Sequence, residues 1–174
     1  MISQTSIFLI SVSSILIVVI LVMGISPVSG AVYSINGSQM DSKLLSENIQ
    51  SDPSLIAGDL PRGRVIFFWN THCGACHLAW DFIDEFIQNH PEVEILNYDL
   101  YNSTDNRTLF ENYKEKYHRN QLSIPSMIVG NITLEGSQDI RTHLPEILHL
   151  QQEVHSSQGI IVDLQNFINN LHLF

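Results

Sequence analysis

The tightest constraint on this chain is the string Cys73-Gly74-Ala75-Cys76, which holds its only two cysteines. It follows the apolar run 65–69 (Val-Ile-Phe-Phe-Trp) and precedes a stretch with helical periodicity. An unbroken apolar run of this length reads as a strand buried on both faces. The cysteines therefore sit where a strand passes into a helix, which is the context of a redox pair. A helix N-terminus carries roughly +0.5 of a charge and unpaired N–H groups, and both favour a thiolate. The thiolate is the nucleophile in disulfide exchange, so Cys73, at the helix start, is expected to be the reactive thiol. Cys76 lies one turn along, within reach to resolve a mixed disulfide.

Three other readings compete. His77 follows directly, so the string also spells the C-x-x-C-H signature of covalent haem attachment. A haem would use both cysteines as thioethers and His77 as iron ligand, with Met127, Met40 or another histidine as the second axial ligand. A structural zinc site usually wants two separated pairs of ligands. Here there is no second C-x-x-C, and His72 and His77 lie too close to the cysteines in sequence to surround one ion with them. The Met-x-Cys-x-x-Cys pattern of copper carriers is absent, because Thr71 stands at the Met position. Inert thiols complete the set. The buried strand leading straight into the motif favours redox chemistry.

The stretch Phe67-Phe68-Trp69-Asn70-Thr71-His72-Cys73-Gly74-Ala75-Cys76 resembles the strand-to-site signature of the thioredoxin family, Asp-Phe-Trp-x-x-Trp-Cys-Gly-Pro-Cys. Phe68, Trp69, Cys73, Gly74 and Cys76 match. A second family hallmark, Ile-cis-Pro-Thr followed by a strand and a tight turn, is matched by Ile124-Pro125-Ser126 and the stretch 127–131. Cis costs an X-Pro bond only about 0.5–1 kcal/mol, so Pro125 can be cis at low cost, and the resemblance makes cis the expected form over an ordinary strand-start proline. The resemblance covers roughly residues 31–155. It implies an α/β fold with a central mixed β-sheet flanked by helices, thiol–disulfide oxidoreductase activity and no cofactor. It makes Cys73 and Cys76 the catalytic redox disulfide. Ile124, Pro125, Trp69 and His72 would be the substrate-binding edge, and protein thiols or disulfides, with a further redox partner, the partners. Three departures bear on activity. Phe67 stands where the family has a buried Asp, His72 where it has a second Trp, and Ala75 where it has a Pro. The first removes the usual proton acceptor for the resolving cysteine. Protonated His72 would stabilise the Cys73 thiolate; the same residue also reads as a solvated loop histidine.

Residues 1–40 carry no charged side chain, and residues 7–25 form a 19-residue apolar run broken only by Ser11, Ser13, Ser14 and Gly24. At 1.5 Å per residue the run is about 28 Å long, close to the hydrocarbon core of a bilayer. Residues 1–30 are therefore expected to be an uncleaved membrane anchor or a signal peptide cut near Val28-Ser29-Gly30-Ala31. The export-like segment itself leads to the expectation that the remainder lies outside the cytoplasmic membrane. Orientation is poorly specified, since no Lys or Arg precedes Lys43. Four N-x-S/T sequons, at Asn36, Asn102, Asn106 and Asn131, are compatible with export. The net charge of −10 argues against nucleic acid as a partner.

Length allows one domain after residue 30, which the resemblance places over 31–155, and a helical extension is expected over 156–174. Strands are expected at 32–35, 64–69 and 93–98, and at 126–129 and 132–135 flanking a two-residue turn at Gly130-Asn131. Helices are expected over 40–49 and from Cys73 to before Pro91, the latter with Leu78, Phe82, Ile83, Phe86 and Ile87 inward. Residues 102–107 read as a polar loop and 108–117 as a helix. Pro145 reads as the first residue of a last helix. The tail, with Ile160, Ile161, Leu164, Ile168 and Leu171 at helical spacing after 156–159, reads as a further helix packed on the domain.

Overall fold

The computed structural model describes residues 31–171, with side chains as far as 157. The apolar run becomes β3 (Arg64–Trp69). Because successive side chains point to opposite faces, Val65 and Phe67 enter one apolar cluster while Ile66 and Phe68 enter another. Both faces of β3 must then be covered, which sets a three-layer α/β architecture.

Among the described residues the sheet has six strands. These are β1 (Ala31–Ser34), β2 (Gln39–Met40), β3, β4 (Glu94–Asp99), β5 (Ser126–Val129) and β6 (Ile132–Glu135), in the order β2-β1-β6-β5-β3-β4. Only β3 and β4 are parallel. A parallel pair needs a crossover, and α2 (Gly74–Asn89) supplies it. With α1 (Leu45–Ser51) and α4 (Ser137–Leu171), α2 covers the face holding Val65 and Phe67. The opposite face is covered by α3 (Thr104–Lys116), whose Phe110 and Tyr113 rings lie 4.9 and 5.5 Å from that of Phe68. Burying a side chain such as Phe67 is worth about 1.5–3 kcal/mol.

Several expectations need correcting. The stretch 102–107 is mostly helix: Ser103 caps α3 by accepting the Asn106 N–H at 3.1 Å, so the helix starts at Thr104. An N-cap serine overrides the polar composition that suggested a loop. Pro145 lies inside α4, not at its start. The helix accepts a residue without an N–H because its other side is anchored by Ile140, Leu144 and Ile147, all fully buried. No break occurs at 156–159; α4 runs continuously to Leu171. Leu78 is 56% exposed rather than inward. The first helix is shorter than expected, with Met40 in β2 and Asp41 capping a short 3₁₀ turn before α1. The apolar run 7–25 lies outside the described residues. Among the described residues, no helix is long and apolar enough to cross a membrane.

One tight turn locks the β5–β6 hairpin to the rest of the molecule. Gly130 has a φ of +58°, and a Cβ there would meet the Ile56 carbonyl oxygen at 2.6 Å, so only glycine fits. The buried Tyr117 hydroxyl donates to the Gly130 carbonyl at 2.6 Å. Asn131 completes the lock, its backbone N–H donating to the Leu55 carbonyl and its side-chain amide to that of Ser54, each at 2.9 Å. Tyr117→Phe leaves the Gly130 carbonyl without this donor and should cost about 1–3 kcal/mol. The check is a lowered urea midpoint at unchanged m-value; an unshifted midpoint would show that the lock contributes nothing.

Candidate active site

Strand β3 delivers the chain to the site and the loop 70–72 turns it into α2. Trp69 stays tied to the sheet, its carbonyl accepting the Leu100 N–H at 2.9 Å. The Cys73 N–H donates to the Asn70 carbonyl at 3.0 Å, closing a turn. Cys73 then caps α2. Its backbone is extended (φ −96°, ψ 110°), and its sulfur accepts the Cys76 N–H at 3.2 Å. A capping sulfur points along the helix axis at the positive end of the dipole, where charge on it is favoured. Cys73 and Cys76 are joined as a disulfide, with Cα atoms 5.2 Å apart. The two sulfurs are not equivalent: Cys73 is half-buried and Cys76 is fully buried. Any partner must therefore approach Cys73.

Where β3 meets α2 the molecule is aromatic. Phe67, fully buried, meets the Trp80 ring edge-on at 5.3 Å, and Trp69 meets the same ring edge-on at 5.4 Å. Among the described residues, the buried indole N–H groups of Trp69 and Trp80 have no hydrogen-bond partner. Phe67 thus contributes a hydrocarbon ring, not a carboxylate, to this layer.

The rim is polar. His72 is exposed, its ring edge-on to Tyr101 at 4.2 Å and its N–H donating to Asn70 Oδ1 at 2.8 Å. Asp99, paired with Trp69 in the parallel ladder, accepts the Thr71 hydroxyl at 2.6 Å and the Tyr101 N–H at 2.9 Å. The Thr71 hydroxyl, then backbone N–H groups and the nearby His72, hold the Asp99 carboxyl below the usual carboxylate range. A depressed folded-state value contributes stability above the unfolded value that is lost as pH falls through the folded one. This loop is therefore tied throughout the neutral range and loosens only in acid.

The structure brings Trp69, His72, Cys73 and Cys76 together. Ile124 and Pro125 lie at the same end of the sheet. The β3–β5 ladder runs Ile66–Ile128, Phe67–Met127, Phe68–Ser126, so its next step outward reaches Trp69 and Pro125. The Ile124–Pro125 bond is cis. Pro125 is buried and its carbonyl accepts the Gly136 N–H at 2.8 Å. Ile124 is half-buried, and neither its N–H nor its carbonyl has a partner among the described residues. Glu135 steadies the approach to this edge, accepting from the Ser123 hydroxyl and N–H and from Arg119.

Sequence reasoning missed Asp99, Thr71 and Glu135. Their only signals were an acidic residue closing each of two apolar strands and a hydroxyl ahead of the motif. The ligand set considered for haem is dispersed. His77 uses Nε2 on the Thr71 carbonyl at 2.9 Å. Met127 is fully buried in β5, and Met40 lies on β2, at the far edge of the sheet. Among the described residues, no group of three or more His, Cys, Asp or Glu side chains is arranged to hold a metal ion. Comparison with known proteins found no matching family model, no similar curated protein and no similar solved structure.

In the reduced protein, Cys73 should be alkylated faster than Cys76, by tenfold or more, because it combines the helix-start field with access. Timed iodoacetamide labelling and peptide mass mapping measure this. A faster Cys76 would contradict the assignment of the nucleophile.

Proposed function

We propose that the protein is an extracytoplasmic thiol–disulfide oxidoreductase of thioredoxin-like fold. The observation that carries the proposal is the Cys73–Cys76 pair itself, closed across the first turn of α2 with one sulfur accessible and the other buried. The mixed sheet, the site helix following β3 and the cis Ile124–Pro125 bond are compatible with that fold.

The exchange balances as two displacements. Reduced Cys73, as thiolate, attacks one sulfur of a substrate disulfide. A Cys73–substrate disulfide forms, and the second substrate sulfur leaves as a thiolate that takes up a proton. Cys76 then loses its proton and attacks the Cys73 sulfur. The internal disulfide closes and the first substrate sulfur leaves as a thiolate. Two electrons have passed from the protein pair to the substrate; the same steps reversed oxidise a substrate dithiol. An extended substrate segment would pair with the free N–H and carbonyl of Ile124, adding a strand beside the site. No cofactor is needed. The partners are protein thiols and disulfides, and a second redox protein would restore the starting state.

Residues 1–30 would carry the domain across the membrane and either hold it there or be removed. The haem alternative is disfavoured by the bond His77 makes to Thr71 and by the placement of Met127 and Met40. A covalently retained Soret band in protein matured in a periplasm would revive it. A purely binding role for the fold would leave the thiols incidental, and measurable exchange excludes that.

Cys73→Ser should abolish exchange, and Cys76→Ser should accumulate mixed disulfides with substrate, seen as dithiothreitol-sensitive adducts by mass. Absence of adducts from Cys76→Ser would refute the two-step path. Phe67 generates a further expectation. With a ring below the site, the Cys76 proton leaves to water, His72 or the departing thiolate. Phe67→Asp should speed resolution near neutral pH while lowering stability, because burying an unpaired carboxyl is expensive and raises its pKa. Unchanged resolution kinetics in a folded variant would show that proton removal does not limit the step.

A further inference from the structure

We propose that Asp99 is a positioning residue for this dithiol exchange, acting through Thr71, with His77 closing the grip from the helix. The inference rests on the oxidoreductase reading and adds to it the device that aims the nucleophile. Thr71 is exposed, two residues before Cys73, yet all three of its polar groups are held by other elements. Its hydroxyl donates to Asp99 Oδ2 at 2.6 Å and its N–H to Asp99 Oδ1 at 3.3 Å. Its carbonyl accepts from His77 Nε2 at 2.9 Å. The Asp99 carboxylate is itself seated, Oδ1 accepting the Tyr101 N–H at 2.9 Å at the end of β4. His77 stands four residues beyond Cys73, on the next turn of the same helix.

The loop 70–72 is thus clamped between the sheet edge and the helix that carries both sulfurs. Exposed hydrogen bonds add little to folding stability, since water satisfies the same groups in the unfolded chain. What they do here is choose one path for the three residues that lead to Cys73. Attack on a disulfide requires the incoming sulfur to lie in line with the bond that breaks. A displacement of about 1 Å in such a geometry can cost on the order of a hundredfold in rate. Aspartate suits the task because its two oxygens serve Thr71 and Tyr101 together. Asparagine keeps one acceptor oxygen and offers an amide that the Thr71 hydroxyl can accept from.

The test uses the full chain, in the parent and in Thr71→Val, Thr71→Ser, Asp99→Ala and Asp99→Asn. Three quantities are read: the second-order rate of mixed-disulfide formation with a disulfide-bonded peptide, the iodoacetamide rate at Cys73, and the urea midpoint. Iodoacetamide is small and approaches from many directions, so it reports thiolate availability rather than aim. Thr71→Val and Asp99→Ala should lower the exchange rate by about tenfold or more. Their iodoacetamide rates should stay within about twofold of the parent, and the urea midpoint should fall only slightly, because these hydrogen bonds are exposed. Thr71→Ser, which restores the hydroxyl, and Asp99→Asn should recover most of the exchange rate. Parental exchange in Thr71→Val overturns the inference. So does a fall in rate that tracks a fall in stability and is not rescued by serine. A parent that alkylates normally but exchanges with no disulfide defeats the oxidoreductase reading itself, before any variant is compared.

Discussion

Val65, Ile66, Phe67 and Phe68 lose essentially all contact with solvent, two side chains to each face of the sheet. Nearly everything about the candidate site depends on that burial. A strand covered on both sides cannot slip by one residue without turning its whole apolar set over. Its register against β4 and β5 is thereby set, and with it the level at which the chain leaves the sheet at Trp69. The loop that follows is three residues long, so Cys73 has little choice about where it starts α2. The pairing that buries Phe67 and Phe68 also brings Pro125 to the same end of the sheet and Asp99 level with Trp69.

The site combines an apolar floor with a hydrogen-bonded rim, and the two act on different sulfurs. Cys76 is fully buried on the inward side of α2, where a thiolate is costly. Cys73 sits at the helix end with the Cys76 N–H on its sulfur, where charge is supported. This asymmetry suits a pair in which one thiol attacks and the other waits. The ring of Phe67 sharpens it, because no carboxylate lies at that position to accept the proton that Cys76 must lose. Resolution of the proposed mixed disulfide would then draw on water, His72 or the departing thiolate.

Much of this was legible in the residues. The apolar run, the cysteine spacing, the Gly-Asn turn and the proline ahead of β5 each report a local requirement, and each lies where those requirements place it. What escaped the sequence was set by contacts between distant segments. Ser103 gives no sign that it caps a helix until α3 is seen to need Phe110 against Phe68. Pro145 reads as a helix start by local rules, and only the buried stripe of Ile140, Leu144 and Ile147 explains why α4 runs through it. Thr71 and Asp99 are 28 residues apart. Their union depends on the parallel register of β3 and β4, which no spacing rule encodes. Leu78 follows the helical period of its neighbours yet faces solvent, because the inward side of α2 is already filled by Ala79, Ile83 and Phe86.

The central claim is that Cys73 and Cys76 form a reversible redox couple. It is tested most directly by equilibrating the full chain across a series of reduced-to-oxidised glutathione ratios. The fraction of internal disulfide is then read by mass after acid trapping and alkylation. The account predicts a single two-electron transition with a tenfold span per 29.6 mV, approached equally from the reduced and the oxidised protein. A pair that stays oxidised or stays reduced at every ratio, or that accumulates stable glutathione adducts on both cysteines, would contradict it.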